Sequence, residues 1–111
     1  GYAILFRSPE FATLSTDKQR QVIKLVVCNR PNSNIPRPSL VDACQASIAP
    51  LEAIIEVCND PSDHELLGIC HVITGDEKRA SEVFRKGLEM ERARNPQSDL
   101  CGSLMKWVAS V

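Results

Sequence analysis

Four side chains that could bind a metal ion or act as a nucleophile lie close together in the sequence: Cys58, His64, Cys70 and His71. A zinc site usually takes its ligands in closely spaced pairs, such as two cysteines or two histidines a few residues apart. His64 and His71 are seven residues apart, and this spacing matches no usual ligand pattern. We expect His64 to be a surface residue in the first turn of a helix and His71 to pack between helices.

The adjacent Cys70 and His71 do not form a nucleophile–base pair. Neighbouring residues on a helix point in different directions, and the apolar run around Cys70 predicts a buried, unreactive thiol. The sequence contains no Gly-rich phosphate loop, no Gly-x-Ser-x-Gly and no His-Glu-x-x-His motif. The acids Asp76 and Glu77 stand at a predicted helix start, where the helix dipole accounts for them. We therefore expect that the protein is not an enzyme and that it binds no metal ion and no cofactor.

The composition is that of one globular domain of 111 residues, of which 43% are hydrophobic. The net charge is −1, and this balance argues against direct binding to nucleic acid, which needs an excess of Lys and Arg. No apolar run approaches the ~20 residues of a transmembrane helix, so no membrane partner is expected. Residues 7–11 look like translated cloning sites. We therefore expect residues 1–11 to come from an expression vector and residues 12–111 to form the domain.

The cysteine count points to a reducing compartment. A secreted disulfide framework favours an even number of cysteines in loops, whereas this chain has five, each inside an apolar run. We expect reduced core thiols and a cytoplasmic protein, with the nucleus as the alternative. The five are Cys28, Cys44, Cys58, Cys70 and Cys101.

Hydrophobic spacing predicts an all-α fold, a compact array of about five helices packed as antiparallel hairpins. The predicted helices span residues 16–28, 39–59, 62–75, 76–94 and 98–111. The first could instead be a strand, because Ile23–Cys28 is rich in β-branched residues. Residues 29–38 contain three prolines and three asparagines, which predicts an irregular connector.

Several residues carry the predicted helix boundaries. Pro50 predicts a kink in the second helix, or a break between two shorter helices. Ser62 with Glu65 forms a capping-box pattern at the start of the third helix. Gly75 supplies the left-handed position that ends this helix.

A short pattern recurs after 34 residues, since the segment 64–68 is echoed by the segment 98–102. Both copies contain an acid, a leucine, one apolar residue and a glycine. A period of 34 is the length of one helix-turn-helix unit in a stacked helical array. Such arrays provide binding surfaces rather than catalytic pockets.

Residues 64–96 resemble a tetratricopeptide repeat. The residues at matching positions are Leu67, Gly68, His71, Gly75, Ala80, Phe84 and Gly87. The family's first-helix aromatic is missing at His64, and its proline comes later, at Pro96. The resemblance implies a tight helical hairpin. The residues themselves predict that Gly68 and Ala80 let two helices approach closely, with Phe84 filling the gap.

A second resemblance is to the C-terminal domains of rhabdovirus phosphoproteins. Those small helical domains have a Leu-Gly inside a buried helix, and a charged helix follows it. In this chain Leu66-Leu67-Gly68 has a similar position, and the charged helix predicted over 76–94 follows it. The resemblance implies a domain that tethers a polymerase to nucleoprotein–RNA.

The charged side chains of the helix over residues 76–94 are the first candidates for a binding site. Arg85 and Arg92 are seven residues apart and share a face, and the interleaved Glu82 and Glu89 make that face mixed in charge. The pairs Glu82–Lys86 and Glu89–Arg92 would make it a solvated surface instead. If it binds, an acidic peptide docked by arginine side chains is the partner it fits.

Trp107 is the only tryptophan, and it is expected either to pack against this helix or to anchor an interface. The predicted binding residues are Lys78, Arg79, Arg85, Lys86, Arg92 and Trp107.

We therefore expect a non-enzymatic module that docks a segment of another protein in a groove among the helices predicted over 39–59, 62–75 and 76–94. One alternative is a viral polymerase cofactor that binds nucleoprotein. Another is a homo-oligomerisation domain in which the C-terminal helix pairs with its copy, because residues 106–111 could expose apolar surface.

Overall fold

A computed structural model describes residues 2–28 and 37–111, and it describes the side chains of residues 4–27 and 40–111. This part of the chain forms seven α-helices and no β-strand. The helices are α1 (Tyr2–Arg7), α2 (Pro9–Ala12), α3 (Thr16–Cys28), α4 (Arg37–Val57), α5 (Pro61–Thr74), α6 (Glu77–Arg94) and α7 (Asp99–Ser110). The predicted all-α class is confirmed. None of the seven is long and apolar enough to cross a membrane.

The long helices lie close to their predicted positions. Helix α3 has the predicted bounds, so the alternative of a strand over Ile23–Cys28 is wrong. Helix α4 begins at Arg37, and the prediction of an irregular connector is therefore wrong for its last two residues. The remainder of that connector, residues 29–36, lies outside the described part. Pro50 lies inside α4, which is one helix rather than two.

The helix caps follow side-chain chemistry, with one correction. Asp60 rather than Ser62 caps α5, because Pro61 suits the first helical position and starts the helix earlier. The Asp60 carboxylate accepts a hydrogen bond from the Ser62 amide at 3.0 Å. Gly75 has φ +93° and ends α5 as predicted. Asp76 caps α6, and Ser98 caps α7.

Two hydrophobic clusters form the interior, and α5 contacts both. The first joins α3, α4 and α5 around Ile23, Leu51 and Leu67. The second joins α6 and α7 around Phe84 and Leu104.

The N-terminal helices pack onto the first cluster. Phe11 is buried there and meets the Phe6 ring edge-on, with 5.1 Å between ring centroids. The origin of residues 1–11 stays a prediction.

Helices α5 and α6 approach closely because each places a glycine opposite a large side chain of the other. A Cβ atom added to Gly68 would lie 2.6 Å from Cζ of Phe84, and one added to Gly87 would lie 2.8 Å from Cβ of His64. Real Cβ atoms do not approach so closely. The predicted close packing around Gly68 and Phe84 is confirmed. The prediction that His64 lies on the surface is wrong, because Gly87 leaves room for it.

The two copies of the 34-residue pattern have different structures. His64 lies inside α5, whereas its counterpart Ser98 precedes α7 as its cap. Gly68 touches Phe84, but Gly102 is exposed, and an added Cβ there would meet no atom of the described residues within 4 Å. The sequence pattern therefore does not mark two equivalent packing units.

A buried ion pair joins α3 to α5. The Arg20 guanidinium donates two parallel hydrogen bonds to the carboxylate of Asp63, at 2.6 and 2.7 Å. Asp63 is 0% exposed, and the arginine side chain is 13% exposed. The hydrogen bond with Asp63 raises the pKa of Arg20 above its ordinary value. Arg20 also pairs with the exposed Asp17 and lies 4.0 Å from Asp60.

Replacing Gly68 with alanine should destabilise the fold by about 1–3 kcal/mol, because the added methyl group would overlap the Phe84 ring. Gly102→Ala is the matched control, and it should be neutral or stabilising by up to about 1 kcal/mol because its surroundings are open. Urea unfolding measures both. A Gly68→Ala protein as stable as the control would contradict the close packing.

Replacing Asp63 with alanine should destabilise the fold by about 2–4 kcal/mol, because it leaves a largely buried guanidinium without its main partner. Asp17→Ala removes a carboxylate from the same arginine, but Asp17 is 83% exposed, so the loss should stay below about 1 kcal/mol. Thermal unfolding at neutral pH compares the two variants. Equal losses would show that burial of the pair is unimportant.

Candidate functional site

Helix α6 carries most of the predicted binding residues, and its packing explains their position. Its inward stripe is fully or nearly fully buried and consists of Ala80, Val83, Phe84, Gly87 and Leu88. The opposite face therefore lies in solvent, as the helical period requires. The five basic residues predicted on this helix are all exposed: Lys78, Arg79, Arg85, Lys86 and Arg92.

Arg85 and Arg92 line one shallow groove along α6, with a volume of about 320 Å³. Leu88, Glu89 and Ala93 complete its lining. Leu88 is only 9% exposed, so its side chain contributes little to the surface of the groove. Within the described residues, neither arginine forms an ion pair with a carboxylate. Both guanidinium groups are therefore available to an acidic partner.

The ion pairs predicted for a solvated α6 face do not form. No contact within 4.0 Å joins Glu82 to Lys86 or Glu89 to Arg92 in the described structure. Glu82 instead lies 3.7 Å from Arg79, and both side chains are more than half exposed. An exposed pair of this length contributes little stability and can be exchanged for another partner.

A second groove, of about 440 Å³, lies on the other side of α6. Lys86, Met90 and Arg94 line it from α6, Asn59 lines it from the connection between α4 and α5, and Pro61 lines it from the start of α5. Its positive charge is partly compensated, because Arg94 pairs with Glu91 at 2.9 Å.

Asp60 lies beside the second groove and keeps its negative charge. Burial alone would raise its pKa, but hydrogen bonds from the Ser62 hydroxyl and amide, with the charges of Arg20 and Arg94, lower the pKa below its ordinary value. A carboxylate therefore persists near this groove at neutral pH. The groove lined by Arg85 and Arg92 also contains a carboxylate, that of Glu89, but neither of its arginines forms an ion pair within the described residues.

Trp107 lies apart from both grooves. Its ring stacks on Phe84, with 5.1 Å between centroids and 6° between planes, and it is half-buried. The Ser103 hydroxyl donates a 2.5 Å hydrogen bond to Glu65 and so also fastens α7 to α5. The packing predicted for Trp107 is present. Its role as an interface anchor stays a prediction.

Glu91 is a buried charge that sequence reasoning did not single out. It is 3% exposed and accepts hydrogen bonds from Arg94 and from the Ser98 hydroxyl, each at 3.0 Å. Ser98 also caps α7, so Glu91 links the end of α6 to the start of α7. A glutamate one turn before a predicted helix end, followed by a capping serine, is the only sequence signal for this link.

The side chains with the potential for metal or nucleophilic chemistry are largely enclosed. His64, Cys70 and His71 are buried, and Cys58 is half-buried. The described residues contain no group of three or more His, Cys, Asp or Glu side chains arranged to hold a metal ion. Nε2 of His71 is buried without a hydrogen-bond partner in the described structure.

Comparison with protein-family models, with curated proteins and with solved structures finds no match to this chain. The resemblances to tetratricopeptide repeats and to rhabdovirus phosphoprotein domains stay predictions. The site is therefore argued from its own geometry.

Acidification should destabilise the fold through His71. Burial lowers the pKa of His71 below its ordinary 6.5; Asp76 and Glu52 favour its charged form, whereas Arg79 opposes it. Just below pH 6.5 the unfolded chain therefore binds more protons at His71 than the folded chain does. The free energy of unfolding consequently decreases as the pH falls below this value. Unfolding free energies of the natural chain and His71→Gln, measured from about pH 7 to 5, should diverge. Parallel curves would contradict this prediction.

Proposed function

We propose that this chain is a non-enzymatic protein–protein interaction module that docks a partner segment along the exposed face of α6. The observation that carries the proposal is the groove that Arg85 and Arg92 both line without intramolecular ion pairs among the described residues. Arginine is suited to this role because its planar guanidinium can hold a carboxylate through two parallel hydrogen bonds.

The spacing of the two arginines suggests the geometry of the partner. Seven residues of an α-helix span about 10 Å, so two carboxylates the same distance apart would meet both arginines. A second helix lying alongside α6 would present them at positions seven residues apart. Glu89 lies between the arginines, so a uniformly acidic segment would meet a like charge at the centre.

The remaining expectations belong to the same proposal. The shallow groove with two arginines favours an exposed and salt-sensitive contact rather than an enclosed substrate site. A cytoplasmic or nuclear location is proposed from the cysteine usage alone. Nucleoprotein binding and oligomerisation through α7 stay predictions from the sequence.

Charge reversal at Arg85 and Arg92 should remove this binding. The probe is a fluorescein-labelled helical peptide with two glutamates seven residues apart on one face, and its twin carries glutamine at both positions. Fluorescence anisotropy at low salt should show that Arg85→Glu/Arg92→Glu weakens binding of the glutamate peptide by at least about tenfold, since each attractive contact becomes repulsive. The glutamine twin should bind the natural chain weakly.

The matched control is Lys24→Glu/Lys106→Glu, which changes the net charge of the chain by the same amount as Arg85→Glu/Arg92→Glu. Lys24 lies on α3 and Lys106 on α7, and both are exposed and outside the two grooves. It should keep most of the affinity. If both double variants lose binding equally, the peptide is attracted only by the net charge of the chain, and the proposed binding surface is wrong. If the natural chain prefers neither peptide, the α6 face does not dock helical acidic segments.

A further inference from the structure

The exposed face of α6 has charges that alternate in sign along one heptad-spaced stripe. The stripe, here called the α6 stripe, consists of Lys78, Glu82, Arg85, Glu89 and Arg92. The spacings are four, three, four and three residues, which keep all five side chains on one side of the helix. All five are exposed.

This order makes the α6 stripe complementary to itself. When two copies of α6 lie antiparallel, with the two-fold axis midway between Arg85 and Glu89, Arg85 of each copy faces Glu89 of the other. In the same register Glu82 of each copy faces Arg92 of the other. A two-fold interface repeats each contact, so four opposite-charge pairs form at once. A uniformly acidic segment would instead meet both glutamates.

We infer that the partner segment of the α6 face is α6 of a second copy of this chain, bound antiparallel through the α6 stripe. This inference rests on the proposed function and names the occupant of the same face. The carboxylates that the arginines require are then Glu82 and Glu89 of the copy. The chain itself therefore supplies the complementary charge order.

The structure is compatible with such an exchange of partners. In the described residues Arg85, Glu89 and Arg92 have no intramolecular ion pair to break, and the Arg79–Glu82 contact is long and exposed. The interface would contain little apolar surface, since Leu88 is almost fully buried within its own copy. The association should therefore be weak, reversible and strongly dependent on salt.

Charge-swap variants test the inference. Sedimentation equilibrium of the full chain at low ionic strength should show a monomer–dimer equilibrium that disappears at high salt. Arg85→Glu and Glu89→Arg should each weaken dimerisation by about tenfold, because each places like charges opposite each other twice. The double variant Arg85→Glu/Glu89→Arg should recover it, because every reversed charge again meets an opposite one.

An equimolar mixture of the two single variants should also recover association, because the glutamate introduced into one variant would face the arginine introduced into the other, and the remaining pair would be natural. Lys24→Glu is the control on α3 and should change dimerisation little. Thermal unfolding shows whether each variant is folded. The inference fails if the natural chain stays monomeric at low salt, or if neither the double variant nor the mixture associates better than the single variants.

The two levels of the proposal separate in these experiments. A monomeric chain that still binds the glutamate peptide through Arg85 and Arg92 would overturn self-pairing and leave the proposed function standing. A chain that neither dimerises nor binds the peptide would overturn both.

Discussion

The reciprocal packing of α5 against α6 is the constraint on which the rest of this structure depends. Gly68 admits the Phe84 ring, and Gly87 admits His64, so the two helices meet closely on both sides of the contact. Phe84 in turn carries the stacked ring of Trp107, which holds α7 in place. Because one side of α6 is committed to these contacts, its charged side must face solvent. The outward orientation of this charged face thus follows from two glycines on neighbouring helices.

Polar contacts fasten α3 and α7 to this pair. The bidentate contact of Arg20 with the fully buried Asp63 fixes α3 against α5. Glu91 fixes the turn between α6 and α7 because it accepts one hydrogen bond from Arg94 before the turn and one from Ser98 after it. Buried charges of this kind specify an arrangement more clearly than they stabilise it, because desolvation offsets much of their attraction. The charged face of α6 is different, since its side chains are solvated and their order matters only to a partner.

Local sequence patterns predicted α6 and its face well, because both depend on a helical period that neighbouring residues display. The inward residues from Ala80 to Leu88 are buried as the spacing indicates, and Gly75 adopts its left-handed conformation. What the sequence did not reveal depended on distant residues. The burial of His64 requires Gly87 on another helix, and the burial of Asp63 requires Arg20, which is 43 residues away in sequence. Periodicity does not identify such partners. The two copies of the 34-residue pattern differ for the same reason, since Gly68 has Phe84 opposite it and Gly102 has no such neighbour among the described residues.

The α6 stripe is proposed to bind the same stripe of a second copy of this chain. Amide chemical shifts of the full chain, followed by NMR as protein concentration rises at low salt, test that claim most directly. Shifts that concentrate on residues 82–93 and vanish when salt is added are the expected result. Shifts confined to α3 or α7, or no change along α6, would contradict it.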